Sequence, residues 1–355
     1  MSGDCLSIEN SIDNGVNFLY HQQLPNGEFK SYFSNNEKME EYSIPDEGWY
    51  VLDANVFPSI LIGSSLLFLK DSVKAEIIQS KITGFLLAER KTGSLWNHYS
   101  RNHDLFHLCP FDADDTACAS AFLKYRNVEF ASNIDVLLSN RSKKNLFYTW
   151  FTLRFKLNLN ISYLWVAMRE LKRPIKSLVF WSKMECERND VDAVVNANVL
   201  YYLGKKKDTL PIINYLIDVI IKGKENDCDK WYKNKFTIYY FISRNYFAGI
   251  EEFHVIRQVI IDKVIHGLNS DGSFGESVLD TGLAICTLLN FKYTAKDLTE
   301  SIKSLLAAQQ ANGNWKKNIF YYNGPNKLIG FGSDELTTGI CLEALVRYKV
   351  LMCNN

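Results

Sequence analysis

The sequence lacks an excess of charge of either sign. Its 355 residues include 40 lysines and arginines against 40 aspartates and glutamates, so the formal net charge is +0. A balanced chain has no overall electrostatic field to attract nucleic acid or an anionic membrane. The balance argues against nucleic acid as a partner and fits a small, largely uncharged substrate better.

Long apolar runs and targeting segments are also lacking. No uninterrupted apolar stretch reaches the roughly 20 residues that a membrane-spanning helix needs. The first residues carry acids and no basic, apolar leader. We therefore expect a cytoplasmic protein.

The eight cysteines form no Cys-x-x-Cys pair, which argues against a zinc site or a redox pair. Buried free thiols are the simpler interpretation. Aromatic residues, by contrast, are abundant, with 7 Trp, 19 Tyr and 22 Phe. They can fill a core, and their faces are also what a cation-handling cavity would need.

A repeated pattern runs through the chain: an amphipathic segment, a glycine turn with an aromatic residue, then an apolar helix opened by Asp or Thr. The clear copies have their turns at 23–29, 93–96, 271–274 and 310–315. Two weaker copies combine 132–151 with the helix after Asp192, and 208–222 with 236–247. The sequence therefore predicts about six helical hairpins.

Six hairpins, each with an amphipathic outer helix and a more apolar inner helix, bury themselves best by closing into a ring. We predict an all-α fold, a single α6/α6 barrel domain over residues 1–355, with strand-type alternation only around 147–155. An apolar insertion at about 157–185 departs from the repeat. We interpret it as a lid; the alternative is a peripheral patch in transient contact with a membrane surface, which collects a lipid-like substrate.

In such a barrel all inner helices begin at one end of the ring, and three acids lie at one of these starts: Asp112, Asp114 and Asp115. Any one of them could simply cap the helix, but capping does not explain three. Crowded carboxylates cannot all ionise cheaply, so one should keep its proton. The helix N-terminus favours a carboxylate, which would make that retained proton more acidic.

The segment Asp112-Ala113-Asp114-Asp115-Thr116-Ala117 resembles the Asp-x-Asp-Asp-Thr-Ala motif of squalene-hopene cyclases and other class II terpene cyclases. Gln310 to Trp315 resembles their Gln-Trp repeats, and the resemblance covers nearly the whole chain. It implies an isomerase that protonates a polyprenyl chain, cyclises it through carbocations and ends by deprotonation. It also implies that Asp114 donates the proton, with Asp112 and Asp115 tuning and orienting it.

Squalene-hopene cyclases have two barrels, whereas this chain has room for one. It is therefore more similar to the single-domain members of the family. By analogy with them, the substrate would be a prenylated aromatic compound of meroterpenoid biosynthesis, such as a geranylgeranylated aryl acid.

Aromatic faces stabilise a carbocation without trapping it as a nucleophile would. The candidates for substrate binding are aromatics near the mouth or on the inner helices, each of which could equally fill the core: Trp49, Trp96, Phe106, Trp150, Tyr239, Tyr240 and Trp315. The base that removes the last proton is not evident. The candidates are Asp334, which would also contact the substrate, Glu335, His98, His103 and His107.

The expected reaction requires no cofactor. A second acidic cluster could hold Mg²⁺ or Ca²⁺ through oxygen ligands; its members are Glu185, Glu187, Asp190 and Asp192. A solvated loop in which Asp192 caps the next helix is the simpler interpretation. A diphosphate head group would need a compact basic cradle, whereas Arg126, Lys143 and Lys144 are dispersed, which favours a carboxylate or a phenol.

Four alternatives remain open at this point. The first is a cyclase of the same kind that acts on a free or diphosphorylated polyprenyl. Polysaccharide hydrolases and lyases also use α6/α6 rings with paired carboxylates, although apolar inner helices fit them poorly. Protein prenyltransferase β subunits share the repeat but need zinc bound by Asp, Cys and His, and Asp227-Cys228 has no evident histidine partner. In a non-catalytic scaffold, the aspartates would be caps alone.

Overall fold

The computed structural model describes residues 3–36, 38–39, 50–154, 160–168, 172, 174–183, 185–293, 297–326 and 329–353. In chain order its helices are α1 (Gly3–Gln22), α2 (Phe57–Leu66), α3 (Val73–Glu89), α4 (Ala113–Tyr125), α5 (Ile134–Ser139), α6 (Ile161–Ala167), α7 (Pro174–Lys183), α8 (Ala193–Leu203), α9 (Leu210–Ile221), α10 (Lys235–Phe247), α11 (His254–Ile265), α12 (Val278–Asn290), α13 (Asp297–Ala307) and α14 (Asp334–Cys353). Two 3₁₀ turns lie at Asp104–His107 and Glu251–Phe253.

Six of these helices form a closed inner ring. Each contacts the next in the order α2, α4, α8, α10, α12, α14, and α14 returns to α2. The outer helices α1, α3, α5, α9, α11 and α13 precede them in turn, so the chain forms six hairpins. Helices α4 and α8 are buried on nearly every side, as expected of helices whose residues are small or apolar all round. The predicted α6/α6 barrel is confirmed.

The glycine turns repeat in atomic detail. At Gly313, where φ is +94°, a Cβ would lie 2.4 Å from the carbonyl oxygen of Asn14, so no other residue fits there unstrained. After the turn, the backbone N–H of Trp315 donates to the Thr338 hydroxyl at 3.1 Å. Trp96 and Thr116 make the same bond at 3.1 Å. This contact explains why threonine recurs near the start of the inner helices.

A small antiparallel sheet lies beside the barrel, in the order β2-β1-β4-β3. Its strands are β1 (Ser31–Ser34), β2 (Tyr50–Asp53), β3 (Tyr321–Tyr322) and β4 (Gly330–Gly332). Sequence alternation did not indicate them because each has only two to four residues. The strand predicted around 147–155 is wrong for its described part, residues 147–154, which make isolated bridges such as Asp112 with Trp150.

The apolar insertion is described in part, as α6 and α7. On α7, Phe180 and Trp181 pack edge-on against Trp150, with ring centroids 6.1 and 6.0 Å away. Its other face exposes Ile175 and Leu178, at 79% and 71% of their surface. The helices of the described chain include none with the length and hydropathy to cross a membrane.

Candidate active site

A narrow cavity opens where the inner helices α2, α4 and α8 begin. It contains about 570 Å³ of empty space, part of it at the open mouth. Eight of its sixteen lining residues are aromatic: Phe57, Tyr99, Trp150, Trp231, Tyr232, Tyr321, Tyr322 and Phe331. All three acids of the motif, Asp112, Asp114 and Asp115, line the same cavity. The site therefore places carboxyl groups against an aromatic, largely apolar wall.

The first acid of the motif, Asp112, is the N-cap of α4. Its Oδ1 accepts the backbone N–H of Asp115 at 2.7 Å, the usual bond of a capping aspartate. Asp115 lies beside His98, whose Nδ1 is 3.6 Å from the Asp115 Oδ2. Capping thus accounts for Asp112 and leaves Asp114 and Asp115 to be explained.

Asp114 is 9% exposed and is held by two donors. The amide of Asn198, on α8, donates to its Oδ1 at 2.6 Å. The hydroxyl of Tyr232, just before α10, donates to its Oδ2 at 2.6 Å. Neither residue was predicted from the sequence, since no local pattern marks a polar side chain that contacts another hairpin.

Burial dominates the protonation of the motif. Burial, and then the charge of Asp115, raises the pKa of Asp112 well above its usual range. Burial also raises the pKa of Asp115 to about 7. It raises the pKa of Asp114, but the hydrogen bonds from Tyr232 and Asn198 and the positive charge of Arg244 pull it back down. The cluster therefore retains protons, and Asp114 is an acid whose conjugate base is stabilised.

A second pair of buried acids holds Tyr232 in place. Asp229 accepts the backbone N–H groups of Trp231 and Tyr232, at 2.9 and 3.0 Å, and that of Val194 at 2.9 Å. Asp192 accepts the Trp231 indole N–H at 3.2 Å. Together these carboxylates tie the segment before α10 to the start of α8 and aim the Tyr232 hydroxyl at Asp114.

The predicted substrate-binding residues are placed differently from one another. Trp150 lines the cavity. Trp96 and Trp315 are fully buried, and their indole N–H groups donate to the carbonyls of Leu86 and Leu305 on outer helices, so they fill the core between two layers. Trp49 lies outside the described residues.

The remaining aromatic candidates also lie away from the cavity. Tyr239 donates to Glu225 at 3.1 Å, and Tyr240 to Glu343 at 2.8 Å. Phe106 is not among the lining residues, but it packs behind the wall against the cluster of Tyr99, Cys109 and Trp150, which do line the cavity. Inner helices present several faces, and sequence position alone did not tell which face meets the cavity.

The five candidate bases are similarly scattered. His98 lines the cavity, and burial lowers its pKa, so it is a neutral side chain near neutral pH. His103 contacts Asp53 at 2.9 Å. His103 and the other three candidates are outside the lining. Asp334 accepts the Lys317 N–H at 2.6 Å, Glu335 is buried beside it, and His107 is exposed.

Three members of the second acidic cluster bond to partners on other segments of the chain. Asp190 pairs with Lys230 at 2.5 Å, Asp192 accepts the Thr149 hydroxyl at 2.5 Å, and Glu185 accepts from Asn326 at 2.5 Å. Within the described ranges, no group of three or more His, Cys, Asp and Glu side chains could hold a metal ion.

The dispersed basic residues form no cradle at the cavity. Arg126 caps the opposite end of α4 and pairs with Glu76 at 2.5 Å. Lys143 and Lys144 lie in an exposed or partly exposed loop. No lysine or arginine is among the described residues that line the cavity.

Comparison with solved structures extends these observations. The chain is similar to the type II terpene cyclase MstE from Scytonema, solved in complex with its substrate geranylgeranyl dihydroxybenzoate, with 14% identity, a TM-score of 0.70 and coverage of 99% of this chain and 100% of that one. A protein from Actinoplanes aligns at 12% identity, a TM-score of 0.68 and coverage of 97% and 99%. The ent-copalyl diphosphate synthase of Streptomyces platensis aligns at 13% identity, a TM-score of 0.57 and coverage of 82% and 50%.

The single-domain cyclase that the sequence resemblance suggests, merosterolic acid synthase, is this same MstE. No protein-family model matches the sequence, and no curated protein matches it. At identities this low the likeness shows the fold alone: the chain has the barrel fold of the type II terpene cyclase MstE over nearly its whole length.

Proposed function

We propose that this protein is a class II terpene cyclase that uses Asp114 to protonate a polyprenyl substrate and close it into fused rings. The observation that carries the proposal is the position of Asp114, a buried carboxyl group on an aromatic-lined cavity with a donor on each oxygen. The alignment with MstE over 99% of this chain supports it.

The first step is a proton transfer. The Asp114 O–H bond breaks, its proton forms a new C–H bond at the distal alkene, and the tertiary carbon next to it becomes a cation. Asn198 and Tyr232 then donate to the resulting carboxylate, which lowers the energy of the state with the proton transferred. These donors are in place beforehand, so they need not reorganise during the step.

Ring closure follows without further catalysis by acid. Each remaining alkene attacks the cation, forming one C–C bond and passing the charge along the chain. The faces of Phe57, Trp150, Trp231 and Phe331 border the cavity and are suited to stabilise that charge. Loss of a proton to a base or to water ends the reaction, and Asp114 takes up a proton again before the next turnover. The product is therefore an isomer of the substrate and no cofactor is consumed.

The cavity fits an apolar chain with a head group other than a diphosphate. Its described lining has three aspartates and no lysine or arginine, a poor match for a diphosphate, which binds clustered basic groups. Since MstE is solved with geranylgeranyl dihydroxybenzoate, we propose a geranylgeranylated aromatic acid or a similar prenylated aromatic as the substrate.

Contact with a membrane surface stays a prediction. The insertion exposes apolar side chains on both described helices, including Trp165 at 59% and Ile175 at 79%. Such side chains would suit brief contact with lipid while an apolar substrate is collected.

The test compares Asp114→Asn with the wild-type protein on a panel of free, diphosphorylated and aryl-linked polyprenyl chains. Because substrate and product have equal mass, chromatography and NMR must identify the rings. Asp114→Asn should keep the helical circular dichroism spectrum and lose ring formation. The control is Asp218→Asn, which removes an exposed carboxylate on the outer helix α9. Turnover retained in Asp114→Asn, or no cyclisation of any chain by the wild type, contradicts the proposal.

A further inference from the structure

Arg244, on the inner helix α10, is a buried cation behind the acidic motif. It is 7% exposed, and among the described residues no carboxylate forms an ion pair with it. Its guanidinium carbon lies 4.4, 5.4 and 4.8 Å from the ring centroids of Tyr201, Tyr240 and Phe241. Ring faces offset part of the cost of burying a cation, but a buried charge without an ion partner still costs free energy of folding.

A hydrogen-bonded chain links Arg244 to Asp114. The Arg244 Nη2 donates to the Asn198 Oδ1 at 2.9 Å, and the Asn198 Nδ2 donates to the Asp114 Oδ1 at 2.6 Å. Asn198 is 1% exposed, so water cannot replace either partner. Arginine has no acceptor. Only the carbonyl of Asn198 can therefore face Arg244, and only its NH₂ can face Asp114.

We propose that Arg244 is a positioning residue of the cyclase, which acts through Asn198 to place the acid proton of Asp114 on Oδ2 and to strengthen that acid. The Asn198 NH₂ can only donate to Oδ1, whereas the Tyr232 hydroxyl beside Oδ2 can donate or accept. The acid proton therefore resides on Oδ2, where the hydroxyl can turn to accept it. The inference rests on the proposed function only in giving this acidity a purpose.

An intervening amide serves the reaction better than direct contact. A guanidinium bonded to a carboxyl group favours its ionised form strongly, and an ionised Asp114 has no proton to give. Acting through Asn198, the cation favours the carboxylate less, so burial can still keep the proton in place. The positive charge of Arg244 does pull the pKa of Asp114 down against the effect of burial.

Several other titratable groups lie around Asp114 and Arg244. Those around Asp114 are Asp112, Asp115, Cys118, His98 and Tyr232. Those around Arg244 are Cys118, Tyr201, Tyr240 and Glu343. Glu343 is already paired with Arg347 at 2.9 Å. Since Asp112 and Asp115 also titrate, an activity profile alone would not isolate Asp114.

Infrared difference spectroscopy of the whole protein, without substrate, isolates the titration of the Asp114 carboxyl group. The carbonyl band of a protonated carboxyl group that Asp114→Asn lacks belongs to Asp114, and its loss with rising pH gives the midpoint of that group. Arg244→Met should move this midpoint upward by about one pH unit, the lower end of the effect of a nearby opposite charge. Asn198→Leu should move it in the same direction, and Arg244→Lys, which keeps the charge, should stay nearer the wild type.

Arg347→Met is the matched control. Arg347 is also a buried arginine over two rings, those of Phe68 and Phe247, at 4.8 and 4.5 Å. Its loss should lower the melting temperature and leave the Asp114 midpoint unchanged. If Arg244→Met does not fold, Asn198→Leu and Arg244→Lys carry the test.

An unmoved midpoint in Arg244→Met or Asn198→Leu overturns the inference, as does an equal shift in Arg347→Met. The titration requires no turnover, so it stands apart from the test of cyclase activity. Once a substrate is identified, the alkaline limb of the plot of cyclisation rate against pH should move to higher pH in Arg244→Met, while the plateau rate falls. A purely structural role would lower the rate without moving the limb.

Discussion

The hydroxyl of Tyr232 donates to Asp114 Oδ2 at 2.6 Å, and Tyr232→Phe removes this bond alone. The ring should stay in place, because it packs against Phe241 and Phe57 with centroids 5.4 and 6.1 Å away. A hydrogen bond to a charged group contributes about 1.5–3 kcal/mol. At 1.36 kcal/mol per pKa unit, its loss should raise the pKa of Asp114 by about one to two units.

A higher pKa makes Asp114 a weaker acid. If roughly half of the lost energy is felt in the transition state, the barrier rises by about 1 kcal/mol and the plateau rate of cyclisation falls about fivefold. The alkaline limb of the plot of rate against pH should move to higher pH, because Asp114 keeps its proton up to a higher pH. Single-turnover rates across a pH series measure both effects, and the infrared midpoint described above assigns the shift to Asp114.

The matched control removes a buried hydroxyl outside the cavity. Tyr202 donates to Asn133 at 2.9 Å, and Tyr202→Phe should lower thermal stability without altering the pH profile. A Tyr232→Phe profile that superimposes on that of the wild type would refute the role assigned to this hydrogen bond.

Three further predictions concern stability and product outcome. Asp115 has a pKa of about 7 in the fold against 3.8 in the exposed state, so the folded chain binds more protons between these values and the free energy of unfolding should fall as pH rises through them. Denaturant titrations at a series of pH values give the free energy of unfolding against pH, and this dependence should be shallower in Asp115→Asn. An unchanged dependence on pH would mean that another group binds the proton. Gly313→Ala should lower the free energy of unfolding by at least about 1 kcal/mol, since φ is +94° and the added Cβ meets Asn14. Gly84→Ala, where the added Cβ has open space, should not lower it. Trp150→Ala should release partly cyclised or hydrated products in product NMR, because water reaches the cation, and an unaltered product would remove Trp150 from the cation's path.

Sequence patterns predicted the barrel because its repeat is local. The glycine turn, the aromatic residue and the helix-opening Thr338 lie within one hairpin, and their contacts, such as Trp315 N–H to Thr338, are made inside that hairpin. The acidic motif was visible for the same reason, since Asp112 caps the helix that carries Asp114. Local rules of capping and periodicity suffice for such features.

The rest of the site depends on contacts between hairpins. Asn198 and Tyr232 reach Asp114 from positions 84 and 118 residues away in the chain, and no pattern near either residue marks it as a partner. Tyr321 and Phe331 enter the cavity from strands of two and three residues, too short for alternation to show. The prediction that Tyr239 and Tyr240 line the cavity was wrong because the abundance of aromatic residues does not tell which face of a helix meets the cavity.

Under the proposed cyclase function, the direction of the inner helices explains why the site would need acids beyond the proposed proton donor. The starts of α2, α4 and α8 border the cavity, and each helix N-terminus carries about half a positive charge. Those partial charges would repel a cation. Asp112 on α4 and Asp192 on α8 lie at two of these starts, where a carboxylate, or even a carbonyl oxygen of the acid form, offsets the helix dipole. The aromatic faces then have to stabilise the cation only against a nearly neutral wall. The barrel brings helix starts together for packing, and that arrangement itself creates the demand for buried acids.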